Sequence, residues 1–332
     1  MCLNKGRMAI RQLTIAALVI ALGATATVAQ QLPLGNQYLI NDFSLNPAYA
    51  GANDNVEAFM SYRKDWVGVD GAPESRVISV NGALPNLLGF LPITPSEVGI
   101  GAAIHSQEAG MFRTSGFSAT FSYKFNVAAV QSVRLGLSLG LLEHNLNLSD
   151  LSFKALSDPS LINNTEAREL LFDATFGALY HFQKLYVGVQ VPRLMESSVK
   201  DETGASLYTM SRHYVVHASY KMPVAPQFTV EPFLVARTTA NSVLEFELAA
   251  KTEYNKQWWL GLMYRKGGTM GLTLGGKIFN VVQMAYSYEF AGTAMLGQSN
   301  GTHEVSLGFL LGESKSDAPA STIKKPYYDW VK

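Results

Sequence analysis

The chain has a single cysteine in 332 residues, and Cys2 lies ahead of an N-terminal apolar run. Disulfides, a thiolate nucleophile and a cysteine metal site are therefore excluded from everything downstream, although an exported chain would tolerate disulfides. Charge is scarce as well: 16% of residues are Asp, Glu, Lys or Arg, against about 25% in an ordinary soluble domain. Long hydrophobic runs are missing too. The apolar stretch at residues 13–22 is short, and nothing after it approaches the ~18 residues that a spanning helix requires. There is no basic excess. Without Lys5, Arg7 and Arg11, 23 basic side chains face 26 acidic ones, a net charge near −3, and nucleic acid is not an expected partner. No Pro/Ser-rich linker, phosphate-cradling glycine loop, solenoid repeat or low-complexity tract divides the chain.

Lys5, Arg7 and Arg11 precede the apolar stretch, and the small residues at 23–29 follow it. That order reads as a secretory signal at residues 1–29 with a cut after Ala29. Cys2 is not at the cut, so it is not placed for lipid attachment.

The rest of the chain alternates with a period of two. In residues 117–125 the odd positions are Phe117, Ala119, Phe121, Tyr123 and Phe125, and the even ones are Ser118, Thr120, Ser122 and Lys124. Residues 133–141 repeat the pattern, as do 172–182, 185–191, 214–220, 228–236, 244–248, 258–264, 282–290 and 305–311. A soluble sandwich would place long solvated side chains on its polar face. Here that face is mostly Gly, Ser and Thr, which suits a crowded lumen, while the aromatic and aliphatic face suits lipid. About fourteen such segments are counted from Val56. The expected fold is all-β, a transmembrane antiparallel β-barrel of the outer membrane over residues 56–312. Residues 30–55 precede it as a periplasmic or plug-like segment, and a periplasmic tail follows at 313–332.

With a periplasmic N-terminus, the connections at 66–75, 106–113, 148–170, 192–210 and 291–302 are expected outside. Those at 182–184, 222–227, 254–257 and 279–280 are expected as periplasmic turns. The apolar stretch "LPNLLGFLPITPS" at 84–96 is a long exception on the periplasmic side. Tyr62, Trp66 and Trp258 fall where interfacial aromatic girdles belong.

Eleven charged residues share the lumen face: Glu57, Arg63, Lys124, Arg134, Asp173, Glu231, Arg237, Glu245, Glu247, Arg265 and Glu289. Both signs are present. Pairing across a narrow lumen is favoured over an ion-selective path, which would more often show a one-sign ring.

Apparent catalytic signals do not survive the strand map. "GLSLG" at 136–140 matches a nucleophile elbow, but that motif needs a strand-to-helix turn and here it runs through a strand. His213 and His217 have i, i+4 spacing, yet on a strand they stand ~13 Å apart. A barrel hydrolase using Ser138 with His181 or His144 lacks an identifiable acid partner. No catalytic set, metal or cofactor is expected.

The sequence "SLNPAYAG" at 44–51 is a turn flanked by Phe43, Leu45 and Tyr49, residues that prefer burial. "QYLINDFSLNPAYAGANDNV" at 37–56, followed by "YRKDWVGVDGAPES" at 62–75, resembles the start of the PorP/SprF family of Bacteroidota. The matching features are Asn46-Pro47-Ala48-Tyr49-Ala50-Gly51, Tyr62-Arg63 with Trp66-Val67-Gly68, and Gly71-Ala72-Pro73. The likeness extends to about Gly312. It implies a noncatalytic outer-membrane component of type IX secretion and gliding motility, set in outer-membrane lipid. Such a protein supports export or surface anchoring of large clients bearing a type IX C-terminal signal and contacts periplasmic secretion or motility components. The alternative class is a passive or hydrophobic-substrate channel.

The apolar turn then has two readings. In the first, the stretch from Tyr38 to Ala50 tucks into the periplasmic mouth as a plug or platform, where Phe43, Leu45 and Tyr49 pack, with Pro47 fixing the bend and Gly51 admitting the turn into the first strand. Alternatively, the segment covers the barrel rim. Asn46, Tyr62, Arg63, Trp66, Gly68, Gly71 and Pro73 join these residues as candidates for plug or partner contacts.

Overall fold

The computed structural model describes residues 35–53, 55–84, 97–147, 166–200, 206–240, 244–290, 292 and 297–311. The expected signal at 1–29, most of the apolar stretch at 84–96, the connection 148–165 and the expected tail at 313–332 lie outside the described residues.

The strands are β1 (Val56–Lys64), β2 (Glu74–Ala83), β3 (Val98–Ala109), β4 (Phe112–Ala128), β5 (Gln131–Asn147), β6 (Glu166–Phe182) and β7 (Leu185–Val191). Then come β8 (Ser198–Lys200), β9 (Ser206–Thr209), β10 (His213–Tyr220), β11 (Met222–Ala225), β12 (Phe228–Thr239), β13 (Glu245–Tyr254), β14 (Trp258–Arg265), β15 (Thr269–Ile278), β16 (Val282–Phe290) and β17 (Thr302–Leu311). β8 and β9 form a separate hairpin in the connection between β7 and β10. β10 and β11 are successive halves of one stave, since both pair with β12. The ring closes where β1 pairs with β17, Val56 opposite Leu311 and Lys64 opposite His303. The result is a closed antiparallel barrel of fourteen staves. Closure joins the two ends of the sheet into a ring, which is the condition for crossing lipid with strands.

Alternation decides the faces. Phe117, Phe121, Phe125, Leu135, Leu137, Leu139 and Leu141 are exposed on the outer wall, while Thr120, Ser122 and Arg134 are buried inside. Tyr62, Tyr264 and Phe290 mark one rim of the exposed band, and Phe125, Tyr220, Phe228, Tyr254 and Trp258 the other. Amphipathic rings at both water–lipid boundaries are the expected placement.

The two ends differ in their connections. At one end, apart from the stretch at 84–97, every connection is two or three residues long. Phe279-Asn280 and Asn255-Lys256 have φ of 52°, 57°, 51° and 56°, the positive values that a type I′ hairpin turn requires at both central positions. The other end carries the connections 65–73, 148–165, 192–212 and 291–301. By the rule for outer-membrane barrels, the short-turn end is periplasmic and the long-connection end faces outward.

Three expected boundaries move. The connection expected at 106–113 shrinks to Gly110-Met111, because Ser106 to Ala109 keep pairing with Phe112 to Ser115. The turn expected at 222–227 shrinks to Pro226-Gln227, since Met222 and Pro223 pair with Val230 and Thr229. The connection expected to run to Leu170 ends earlier, at the start of β6. β4, β5 and β6 are 17 residues each, longer than the roughly 9–11 that span a bilayer. β7 pairs only with residues 176–182 of β6, so the surplus rises at the long-connection end.

Leu137→Arg should block assembly, because an arginine facing lipid near the midplane costs about 2–4 kcal/mol. Ser138→Asn points inward, beside the Thr120 hydroxyl 2.6 Å away, and should assemble normally. Heat-modifiable migration of the two variants from isolated outer membranes checks this, and equal levels would reverse the face assignment.

Candidate functional site

Residues 36–51 lie inside the barrel. Three short 3-10 turns, Gln37–Leu39, Asp42–Ser44 and Pro47–Tyr49, fold the segment without any regular helix or strand. The last is initiated by Asn46, whose side-chain oxygen accepts from the Ala48 N–H at 2.9 Å, with Pro47 in the first position. That is N-capping chemistry in miniature.

The segment meets nearly every wall. The Asn36 backbone N–H donates to Glu304 and its Nδ2 donates to Glu289, both at 2.9 Å. The Tyr38 hydroxyl donates to Glu247, and Lys251 Nζ donates to the Leu39 carbonyl at 2.9 Å. Asn46 Nδ2 reaches the carbonyls of Val189 (2.9 Å) and Ala178 (3.3 Å) and the Nε2 of His217 (3.1 Å). At the far end the Ala50 carbonyl accepts from Ser122 at 2.6 Å and Arg134 at 3.3 Å, and the Gly51 N–H donates to Asn81 at 3.2 Å.

The apolar side chains that made the turn conspicuous are accounted for by burial. Tyr38 and Leu39, with Leu45 alongside, pack on Val215, Phe233, Val235, Ala249 and Met263, a patch of apolar residues on the lumen face of β10 and β12–β14. Phe43, Ala48, Tyr49 and Ala50 pack near Leu179, Ala103 and Tyr186. Tyr49 also lies 5.6 Å, ring to ring, from His217.

The small residues of the lumen face form the bed for this segment. A Cβ on Gly99 would strike the Ala50 carbonyl, one on Gly136 the Ala48 amide, and one on Gly177 the Asn46 side chain and Pro47. Gly101 and Gly261 leave room for Phe43 and Leu39, whose rim atoms would come within 2.8 Å and 2.9 Å of an added Cβ. Gly51 has φ of +62°, and an added Cβ would strike Gly99 and the Gly82 carbonyl, so it meets both a conformational and a steric demand.

The charged lumen residues divide into groups. Near the outer end, Arg63 is buried against Glu289 (2.6 Å), Asp65 (2.8 Å) and Glu304 (3.2 Å), and Arg265 joins Glu247 (2.7 Å) to Glu289 (3.1 Å). Arg237 approaches Glu247 at 3.9 Å, with Glu245 opposite it in the ladder. Lower down, Lys251 lies 3.4 Å from both Glu231 and Glu253. The remaining members stand apart from these pairs. Glu57 accepts from Asn53 and Asn81, Asp173 from the Met195 N–H, and Arg134 serves carbonyls and Ser122. Lys124 is the ladder partner of Arg134.

The second motif frames the outer mouth. Trp66, Gly68 and Gly71 have φ of 43°, 97° and 69°, and the loop they shape is tied down by backbone bonds. Asp65 N–H donates to Pro73, Val67 N–H to Gly301, Asn300 N–H to Val67 and Gly110 N–H to Gly71. The Thr302 hydroxyl links Trp66 N–H to Asp65. Tyr62, by contrast, points to the outer wall, where its hydroxyl donates to Glu74 and its ring faces Arg76. It is not brought to the lumen segment.

Asn36, Lys251 and Glu304 are site residues that the sequence reading missed, and Tyr38 and Leu39 fell within the expected stretch without being singled out. Glu304 precedes the segment counted from Val305, and Lys251 follows one ended at Leu248, so extending the same parity finds both. The histidines and Ser138 do not converge: Ser138 bonds Thr120, His144 bonds Thr114, and His181 stacks on Tyr186.

The family description "Type IX secretion system membrane protein PorP/SprF" matches residues 27–309. The chain belongs to the PorP/SprF family. This PorP/SprF protein is thus an outer-membrane component of type IX secretion. No curated protein matches its sequence. Among solved structures, the monoaromatic hydrocarbon channel CymD shares 12% identity and a TM-score of 0.51 over 86% of this chain and 95% of its own. The toluene transporters TbuX of Ralstonia pickettii (12%, TM-score 0.45, 85% and 94%) and TodX of P. putida (11%, 0.46, 84% and 94%) also match. At such identities CymD speaks for the barrel fold alone.

Arg63→Met should destabilise the barrel by about 3–5 kcal/mol, because it leaves buried carboxylates without their cation. Gly177→Val should instead evict the Asn46-Pro47 corner with the strand ladder intact. Thermal unfolding in detergent, read alongside single-channel conductance, separates the two: a lowered midpoint for the first, an opened pore for the second.

Proposed function

We propose that this PorP/SprF protein is a closed, noncatalytic scaffold that supports export or surface retention of large client proteins, adhesins among them, carrying a type IX C-terminal signal. On this reading it contacts periplasmic secretion or motility components rather than passing small solutes. The observation that carries the reading is the lumen segment: residues 36–50 run the height of the barrel, touch most of its walls and are bonded at both ends. A diffusion channel needs a continuous water path. A scaffold needs a rigid wall and a blocked lumen, and both are favoured by the buried ion pairs around Arg63 and the glycine bed under Asn46 to Ala50.

The channel alternative draws on the apolar lumen patch at Val215, Phe233, Val235 and Met263, which would line a pore if the segment withdrew. Purified full-length protein in planar bilayers should show little conductance, and deletion of residues 36–50 should raise it to an open-barrel level. In cells, loss of the gene should strand or release the surface client with small-solute permeability unchanged. Asn46→Ala with Pro47→Gly should reduce client display, measured by protease shaving, while heat-modifiable migration stays normal. Open conductance of the full chain with normal client display in its absence would reject the scaffold and establish the channel.

A further inference from the structure

An even number of staves returns a chain to the side on which it entered. By that count both termini of this barrel belong to the periplasm, and for the C-terminal end the geometry agrees: Leu311 closes β17 opposite Val56, at the short-turn end. The N-terminal end differs. Gly51 meets Asn81 and Gly99 beside the short turns, where the chain enters β1. Asn36 meets Glu289 and Glu304, which sit at the ends of β16 and β17 that flank the long connection 291–301. Tyr38 meets Glu247, the third residue of β13 after the connection 240–244. Between these ends, Leu39 lies over Gly261, Phe43 over Gly101 and Pro47 over Gly177. The segment crosses the membrane inside the lumen, in the same direction as β17 and opposite to β1.

We infer that the N-terminal end of the mature chain lies at the outer face of the membrane, on the opposite side from the C-terminal end, so that the lumen segment acts as a fifteenth crossing. A cut after Ala29 leaves six residues ahead of Asn36. Fully extended they reach about 20 Å, less than the apolar band of about 25 Å. The lumen through which they would return is occupied by residues 36–50. The end of the chain therefore emerges beside the loop that carries Trp66, where Arg63 bonds Asp65 as well as the two carboxylates that hold Asn36. The second sequence motif, in these terms, builds the exit for the segment that the first motif anchors. This inference rests on the barrel geometry and stands or falls independently of the client-export reading.

The mature chain has no cysteine of its own, so single substitutions report topology without background. Gln31→Cys and Ser321→Cys, each in the full chain, are treated on intact cells with a membrane-impermeant maleimide, then again after the outer membrane is opened. Gln31→Cys should react fully on intact cells, and Ser321→Cys should gain reactivity only on opening. Protection of Gln31→Cys until the membrane is opened would overturn the inference. So would reactivity that appears only on denaturation, because that places the end inside the barrel. A third variant, Gln31→Cys with Asn36→Ala and Tyr38→Phe, removes the outer anchors, and it should lose part of its surface labelling while heat-modifiable migration persists. Unchanged labelling would show that these anchors do not hold the end in place, overturning the route proposed here.

Discussion

Arg63 holds the outer end of this molecule together. Its guanidinium is buried against Glu289, Glu304 and Asp65, and each carboxylate belongs to a different part of the structure. Glu304 is its cross-strand neighbour at the β1–β17 closure. Glu289 continues through Arg265 to Glu247 and so to Tyr38. Asp65 begins the first outer loop. Desolvated charge of this kind is costly unless every member is paired, so closure of the ring, seating of the lumen segment and shape of the mouth become one condition. The planar fork of arginine suits such a junction, and a lysine would not satisfy three acceptors in that geometry.

The wall and the segment solve a shared steric problem. A fourteen-stave barrel is wider than its own side chains fill, and bulky inward residues would be the usual remedy. Here the inward positions of β3, β5 and β6 are reduced to glycine where the segment passes, while their outward neighbours are Leu135, Leu137 and Phe176. Glycine weakens a strand, and outward apolar burial in lipid offsets that loss. The segment itself then needs few regular hydrogen bonds, because the wall supplies donors and acceptors at Ser122, Arg134, Asn81, Lys251 and the carbonyls of Ala178 and Val189.

Most of the wall was legible in the residues alone. Strict alternation at 117–125 and 133–141 fixes which side chains face lipid, and the same parity puts Arg63, Arg265 and Glu289 on one surface. The lumen segment was legible only as an oddity, an Asn-Pro turn among residues that avoid water. Its full path was not readable, because it has no period: three single 3-10 turns leave no repeating signal, and Asn36 and Tyr38 look like ordinary polar and aromatic residues before a turn. The apolar inward patch at Val215, Phe233 and Val235 sits on strands that otherwise read as polar inside, and it makes sense only once Leu39 and Leu45 are placed against it. Strand lengths suffered at the long-connection end, where β4 to β6 continue past the lipid band and the outward residues lose their apolar character.

Asn36 finds its acceptor 268 residues later, on the last strand. Contacts so distant along the chain form slowly, since the loop between them must close first. The bed for Asn46 to Ala50 needs β3 to β7 in place, and the anchor for Asn36 needs β16 and β17. The lumen segment, which leaves the ribosome before the wall that holds it, is thus the portion that settles last, and its seating marks a finished barrel.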